Sequence, residues 1–279
     1  MRAATATISA LAMTAAVAAS QHVPPVPGRE LKHIHGVVLP PGSQDVLLAT
    51  HDGLFAVDPT GMARMISAQA DDFMGFTASR DGRLFASGHP IVGGNIGIIG
   101  ADGAGATWSH LSHGANDEPV DFHAMTVSPA DAEVIYGSYG GIQVSSDGGR
   151  TWRLSGPGPD DLIDLAAADG DPGHLYAGTM LGLHESLDAG VTWSPIAAKS
   201  GPVTMVEVSP EGRLYAFVAG EGLFALRDSM LEPVAALPDQ VLLHVAFDPA
   251  EPELLVAVTA ESRLLSSVDG GRSWSDFLK

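Results

Sequence analysis

An octet that recurs three times constrains the fold of this chain more than any other feature. The copies read SSDGGRTW at Ser145–Trp152, SLDAGVTW at Ser186–Trp193 and SVDGGRSW at Ser267–Trp274, and all fit S-x-D-x-G-x-[TS]-W. A fourth copy, ADGAGATW, ends at Trp108 but carries one extra residue. Each of the 4 tryptophans therefore closes a copy. A polar turn that ends on a large apolar residue and recurs in this way indicates a repeat of small structural units.

A second pattern sets the length of the repeat unit. Short apolar runs carry a small residue at a matching place, about every 40 residues. The small residues are Ala49, Ala86, Gly137, Ala177, Ala216 and Ala257. A turn rich in Pro, Asp and Gly precedes each run, and β-like runs flank it, which gives four short strands per unit. This pattern predicts an all-β fold, a β-propeller of six four-stranded blades.

The predicted blades cover the chain from residue 31 to residue 279. Their bounds are 31–68, 69–114, 118–156, 158–198, 201–238 and 239–279. A seven-bladed ring is the alternative if the segment before residue 31 adds strands. Both ends of the chain read as complete blades, so the pattern does not show how the ring closes.

Composition excludes some classes of partner and site. The chain has 279 residues, a net charge of -19, 14 Lys and Arg together, and 0 Cys. A surface this acidic argues against binding the phosphate backbone of a nucleic acid and favours a soluble monomer. Without cysteine there are no disulfides and no thiolate metal ligands.

The N-terminal segment predicts export. Residues 1–20 contain one Arg followed by small and apolar residues, with a cleavage-like spacing around Ala16–Ala18, as in a signal peptide. Residues 21–30 form a Pro-rich lead, and 31–279 form a single propeller domain. No later run of about 18 apolar residues predicts a membrane span. We expect a periplasmic or extracellular protein.

The octets resemble the Asp boxes of the BNR/Asp-box propellers, a group that includes sialidases, sortilin-type receptors and a photosystem II assembly factor. The resemblance covers residues 31–279. It implies that each box is the hairpin between the third and fourth strands of a blade. Asp and Ser would hold the turn through hydrogen bonds to the main chain, and Trp would pack between blades.

Sialidase chemistry is not supported by the residues. The resemblance to sialidases would imply three arginines on a substrate carboxylate and a Tyr/Glu nucleophile pair. Here Arg150 and Arg272 lie inside octets, and the F-R-I-P motif of that family is absent. Tyr136, Tyr176 and Tyr215 stand beside the small residue of the second strand, where packing is expected. The catalytic residues of a glycosidase are therefore not found.

Histidines are concentrated in the first three units. When the units are aligned on the small residue of the second strand, His35, Met74 and His123 share one position in the first strand. Two residues earlier stand three more polar side chains: His33, Asp72 and Asp121. Because strand side chains alternate with a period of two, both rows point the same way. The remaining histidines are expected at the surface or in packing: His22, His110, His113, His174, His184 and His244.

Propeller geometry brings these rows to one rim of the channel. The first strand of each blade lines the channel, and it starts at the face where the antiparallel second strand ends. Just past the second strands stand His51, His89 and Tyr139. Blades four to six place Ile163, Thr204 and Leu243 at the position of His35, so the polar cluster is one-sided.

The cluster predicts a metal or ligand site. Imidazole with carboxylate suits zinc, and imidazole with thioether suits copper. The candidate metal ligands are His33, His35, His51, Met74, His89 and His123, and the candidate ligand-binding residues are Asp72, Asp121 and Tyr139. A polar channel filled by hydrogen-bonded histidines is the alternative.

Three functions remain open at this stage. The first is a non-catalytic exported propeller that binds a transition metal or a small polar ligand at this rim. The second is a glycosyl hydrolase acting on an exported glycan, since HIHG, HDGLF and DFHA resemble secreted bacterial Asp-box proteins described as glycosyl hydrolases. The third is an assembly scaffold with a protein partner on one propeller face.

Overall fold

A computed structural model describes residues 24–101, 107–196 and 201–278. Over these residues the chain forms a six-bladed β-propeller in which each blade is an antiparallel sheet. The predicted signal peptide, residues 1–20, lies outside the described residues. No helix in the described ranges is long and apolar enough to cross a membrane.

The first three blades contain thirteen strands. Blade one has β1 (Val26–Pro27), β2 (Ile34–Val38), β3 (Val46–Thr50), β4 (Gly53–Val57) and β5 (Met62–Met65), with a 3-10 turn at Gly28–Glu30. Blade two has β6 (Asp72–Ala78), β7 (Leu84–His89), β8 (Ile98–Ala101) and β9 (Trp108–Ser112). Blade three has β10 (Met125–Val127), β11 (Ile135–Ser138), β12 (Ile142–Ser145) and β13 (Arg153–Gly156).

The last three blades contain four strands each. Blade four has β14 (Leu162–Ala167), β15 (Leu175–Thr179), β16 (Gly182–Ser186) and β17 (Ser194–Pro195). Blade five has β18 (Val203–Val208), β19 (Leu214–Val218), β20 (Gly222–Arg227) and β21 (Met230–Ala236). Blade six has β22 (Leu242–Phe247), β23 (Leu255–Thr259), β24 (Leu264–Ser267) and β25 (Ser275–Asp276).

The N-terminal lead adds a strand to blade one and does not start a seventh blade. Strand β1 pairs with β5, so blade one has five strands in the order β1-β5-β4-β3-β2. In every blade the first long strand is an edge of its sheet and the later strands follow outward. Only about ten described residues precede β2, too few for a four-stranded blade.

Six apolar clusters hold the ring together, one at each contact between neighbouring blades. One cluster joins Ala49 of blade one to Phe76 of blade two, and another joins Ile34 of blade one to Val258 of blade six. The others lie between blades two and three, three and four, four and five, and five and six. The ring therefore closes by the packing of blade six on blade one. The C-terminal side chains Phe277 and Leu278 extend the closing cluster.

The small residues of the second strands allow blades to approach closely. Ala49, Ala86, Ala177, Ala216 and Ala257 are all 0% exposed. In blade three the position is Gly137, where an added Cβ would overlap the Phe122 ring. A larger side chain at this position would push a strand out of the core.

The octets form hairpins between third and fourth strands, as the resemblance implied. In the first copy the Ser145 hydroxyl accepts a hydrogen bond from Gly149 N (2.9 Å), and Asp147 Oδ1 accepts one from Thr151 N (2.8 Å). The Trp152 ring donates to the Gly149 carbonyl (2.9 Å). The same bonds recur in the other two full octets. These residues hold a turn and are not arranged as a catalytic site.

Each hairpin of this kind also joins two blades. Ser112 of blade two donates a hydrogen bond to the Gly149 carbonyl of blade three (2.6 Å), and Ser155 of blade three donates to Ala189 of blade four (2.6 Å). The Trp152 ring packs against Phe122, with ring centroids 5.1 Å apart, in the cluster between blades two and three. The octets are therefore structural joints.

The paired serines of the first octet allow a matched test of this role. Ser145→Ala leaves the buried Gly149 N–H without its acceptor, and we expect it to lower the free energy of unfolding by about 1–3 kcal/mol. Ser146 is exposed, so Ser146→Ala should change stability by less than about 0.5 kcal/mol. Urea unfolding followed by tryptophan fluorescence measures both. Equal effects of the two substitutions would contradict the structural role.

Candidate functional site

In five of the six described blades, a β-bulge lies near the start of the long inner strand, the one that lines the channel. The register against the second strand shifts across His35, Met74, Ile163, Thr204 and Leu243. These are the residues that the sequence alignment placed in one row. A bulge leaves its extra residue unpaired and redirects its side chain. The bulges therefore present this row of side chains at the channel rim.

Three imidazole rings stack at the start of blade one. The His51 ring lies 4.8 Å from the His33 ring and 4.5 Å from the His35 ring, and both pairs are nearly parallel. His33 adopts a φ of 51°, a left-handed conformation that is uncommon outside glycine. Its carbonyl accepts a hydrogen bond from His51 N (3.3 Å), which holds the two residues together.

The first candidate group contains His35, His51 and Asp72. Their ligand atoms lie within 4.8 Å of one another, and His51 Nε2 is 3.7 Å from Asp72 Oδ2. His35 Nε2 and Asp72 Oδ1 are buried and have no hydrogen-bond partner among the described residues. Burial, with the neighbouring histidines His51, His123 and His33, lowers the pKa of His35 to about 4. His35 is therefore neutral at neutral pH and offers a free lone pair, as a metal ligand must.

The second candidate group contains His89, Asp121 and His123. Asp121 is buried, and its Oδ2 lies 2.9 Å from His89 Nε2 and 2.8 Å from His123 Nε2. Asp121 Oδ1 is buried without a hydrogen-bond partner in the described part of the chain. The hydrogen bond to Asp121 raises the pKa of His123. Two imidazoles thus converge on one carboxylate oxygen.

Blades two and three hold the two groups beside each other. Asp72 and His89 are directly paired across β6 and β7. The residue before His89 must be a glycine, Gly88, because a Cβ there would overlap the main-chain carbonyl of Asp72. The Ser87 hydroxyl accepts a hydrogen bond from Phe122 N (3.0 Å), which fixes the segment that carries Asp121. Each group therefore bridges two neighbouring blades.

The predicted rim cluster resolves into two groups of three, with the other candidates around them. His33 stacks on the first group but is not among its three ligand positions. Met74 occupies the bulge of β6, in register with His35. Tyr139 begins the turn after β11 and is 37% exposed, and its main chain accepts a hydrogen bond from Gln143 (3.0 Å). Each group of three takes its side chains from two adjacent blades.

The central channel holds ionisable groups that sequence reasoning missed. A cavity of about 450 Å³ is lined by the first strands of all six blades and includes Asp164, Glu207 and His244. His244, expected at the surface or in packing, lies on this wall. Asp164 and His244 are each the single polar residue of an apolar strand, LIDLAA and LLHVAF, and Glu207 shares its strand VTMVEV with Thr204 alone. The sequence offered one signal for them. Asp164 and His244 come one residue after the bulge residue of their strand, and Glu207 comes three residues after it.

These three residues are partly buried on the wall of the channel cavity. Burial raises the pKa of Asp164 to about 7. Burial, with the nearby Asp164 carboxyl, raises the pKa of Glu207 to about 8. Burial, with a smaller contribution from His35, lowers the pKa of His244 to about 4. Each shift favours the neutral form, as expected where few opposite charges are near.

Comparison with known proteins identifies the fold alone. No protein-family model matches the chain, and no curated protein is significantly similar to it. A putative gluconolactonase structure is 15% identical, with 85% of this chain and 88% of that chain covered and a TM-score of 0.65. A GH74 enzyme of Niastella koreensis is 15% identical (TM-score 0.63) and a GH74 xyloglucanase of Xanthomonas campestris 17% identical (TM-score 0.61), each over 88% of this chain.

The chain spans 45% of the length of each of these GH74 enzymes. At identities this low, the likeness establishes the propeller architecture and transfers no activity. The link to the Asp-box family rests on the resemblance of the octets alone.

Because the pKa of Glu207 is raised, ionisation of this carboxyl at high pH lowers the free energy of unfolding. Replacing Glu207 by Gln removes this loss of stability. The folded state favours the protonated carboxyl, so its contribution to stability is full below about pH 4.5 and is lost as the pH rises toward 8. Glu207→Gln should therefore match the wild type at pH 5 and exceed it at pH 9 by about 1–3 kcal/mol, since channel water screens part of the charge. Urea unfolding at both pH values measures this.

The control is Glu211→Gln, which removes an exposed carboxylate from the same blade. It should change stability by less than about 0.5 kcal/mol at either pH. A Glu207→Gln protein that gains nothing at pH 9 would contradict a buried, neutral Glu207.

Proposed function

We propose that the protein is an exported, non-catalytic propeller that binds a transition-metal ion, zinc or copper, at the channel rim. The observation that carries the proposal is the convergence of His89 and His123 on a single buried oxygen of Asp121. Export is proposed from the signal-like residues 1–20. The metal class follows from the donor set of imidazole and carboxylate.

The hydrogen bonding of His89 supports a cation at this point. His89 Nδ1 lies 3.0 Å from the Gly94 carbonyl oxygen, which can only accept a hydrogen bond. Nδ1 therefore carries the hydrogen, and in a neutral ring Nε2 is a bare lone pair facing the Asp121 carboxylate. Two lone pairs 2.9 Å apart repel each other unless a proton or a metal ion lies between them. A carbonyl that fixes the outer nitrogen of a ligating histidine is the usual support of a metal site.

The distances are close to those that a tetrahedral ion requires. Ligand atoms about 2.1 Å from zinc are separated by about 3.4 Å at tetrahedral angles. The second group is slightly contracted, with separations of 2.8 and 2.9 Å, and the first is slightly expanded at 3.7 Å. Movements of about half an ångström would bring these three atom pairs to that separation, and all ligand atoms within each group lie within 4.8 Å of one another.

The unpartnered atoms of both groups supply the remaining argument. His35 Nε2, Asp72 Oδ1 and Asp121 Oδ1 are buried without hydrogen-bond partners in the described ranges. A buried polar atom without a partner costs free energy, and an ion coordinated there would remove that cost. Because each group bridges two blades, a bound ion would also strengthen the contact between them.

Equilibrium dialysis against zinc and against copper(II), followed by elemental analysis, tests the proposal. The wild type should retain tightly bound metal, and its unfolding temperature should rise with metal because the ion binds the folded state. Asp121→Asn should weaken binding at the second group at least about tenfold, as loss of a charged ligand does. Asp117→Asn, which removes an exposed carboxylate in the same segment, should bind as the wild type does.

Two results would overturn the proposal. One is a wild type that retains neither ion after dialysis. The other is an Asp121→Asn protein with unchanged affinity and unchanged metal-dependent stabilisation. A His35→Ala and His123→Ala double variant, with one ligand removed from each group, should lose binding altogether.

A further inference from the structure

We infer that the central channel contains a second site, separate from the rim, that binds a small organic ammonium compound through Glu207 and Asp164. The cavity is lined by the first strands of all six blades and reaches the turns after them, at Pro41, Pro129 and Pro249. Those turns lie on the face opposite the histidine rim. His35, His51 and the second metal group do not line it.

The size and walls of the cavity suit a small organic molecule. Its volume of about 450 Å³ falls within the range of small-molecule sites. Each lining strand is the inner edge of its sheet, so main-chain N–H and carbonyl groups without a strand partner face the channel. Thr77 and Thr126 add hydroxyl groups to the same wall. The cavity therefore offers hydrogen-bond acceptors as well as donors, and its carboxyl groups decide which charge it favours.

The charges in the cavity select a cation. Its lining contains four ionisable side chains: Arg80, Asp164, Glu207 and His244. Arg80, at the mouth, is already paired with Asp169 (3.2 Å) and close to the Pro210 carbonyl (3.4 Å). The two carboxyl groups inside the channel have no cationic partner among the described residues. A positively charged ligand would supply one.

A cationic ligand would give the Glu207 carboxyl the hydrogen-bond partner that it lacks among the described residues. Asp164 accepts hydrogen bonds from Leu165 N and Val206 N, both at 2.9 Å, so its oxygens are partly occupied. Glu207 has no side-chain hydrogen bond within the described residues, and it is partly exposed on the wall of the cavity. A carboxyl that lies in a cavity without a partner is a site where a donor with a positive charge gains most.

An ammonium group fits this set of acceptors better than a metal ion does. Calcium takes 6–8 oxygen ligands, and magnesium requires a near-ideal octahedron, whereas the cavity offers two carboxyl groups in a much larger space. A primary ammonium needs about three acceptors, which Glu207, Asp164 and a wall carbonyl or threonine hydroxyl can supply. The rest of the volume would hold the carbon skeleton along the strands that line the channel.

The pH dependence gives this site a signature of its own. The pKa of Glu207 is raised to about 8 by burial and by Asp164, so below that pH the carboxyl must lose its proton to pair with an ammonium ion. The other ionisable groups that face it across the channel are Asp164, His244 and the paired Arg80. Binding should therefore release protons and strengthen as the pH rises from 6 to 9.

Calorimetric titration of the metal-free full-length protein with 1,4-diaminobutane, butylamine and the neutral butane-1,4-diol tests the inference. The two amines should bind and the diol should not. Affinity should rise with pH, and heats in buffers of different ionisation enthalpy should show proton release. Glu207→Gln, which keeps the shape of the side chain, should weaken amine binding at least about tenfold, while Glu211→Gln should leave it unchanged.

Three outcomes would overturn the inference: neither amine binds the wild type, the amines bind Glu207→Gln equally well, or calcium binds while the amines do not. Circular dichroism of Glu207→Gln verifies that it folds. Asp121→Asn, which alters the rim, should bind amines as the wild type does. Failure of metal binding at the rim and failure of amine binding in the channel are therefore separate results.

Discussion

Every blade of this ring depends on its neighbours to cover the two apolar faces of its sheet. A four-stranded sheet cannot bury both faces alone, and each apolar cluster of the structure is shared by two adjacent blades. The octets reinforce the same contacts, since their tryptophans enter these clusters and the first two octets also accept hydrogen bonds from the preceding blade. Because the ring fixes the distance between blades, it also fixes where side chains of adjacent blades can meet.

The fixed distance between blades explains why each polar group at the rim combines residues of two neighbouring blades. His35 and His51 of blade one meet Asp72 of blade two, and His89 of blade two meets Asp121 of blade three. The later blades present Ile163, Thr204 and Leu243 at the corresponding bulges, so they contribute no ligand atom there. The channel below is acidic in its centre, whereas the rim above is rich in imidazole. The two proposed sites thus differ in chemistry, and they lie toward opposite faces of the propeller.

Much of this architecture could be predicted from the sequence, because the octet recurs, and in blades two to six the small residue recurs at one place in the strand register, although Ala49 of blade one lies one residue further along its strand. The same alignment placed His35 and Met74 at positions that the structure shows to be bulges, whereas His123 precedes β10 and is not part of a bulge. The alignment could not show the bulges, since a bulge changes the alternation of side chains without a residue type of its own. For that reason Asp164 and Glu207 read as isolated polar residues in buried strands, and His33 could not be separated from the three-residue groups. Convergence across blades is a property of the closed ring and has no local signal in the sequence.

The pairing of Asp72 with His89 has a thermodynamic consequence. The two residues belong to different candidate groups, yet they face each other on one strand pair whose spacing is fixed by Gly88. An ion bound at the first group would pull on Asp72, which is the cross-strand partner of His89. If that pull moved the strand pair, occupancy of one group would change the affinity of the other, and linkage requires the effect to be equal in both directions. We expect the two groups to fill as a coupled unit and not as independent sites.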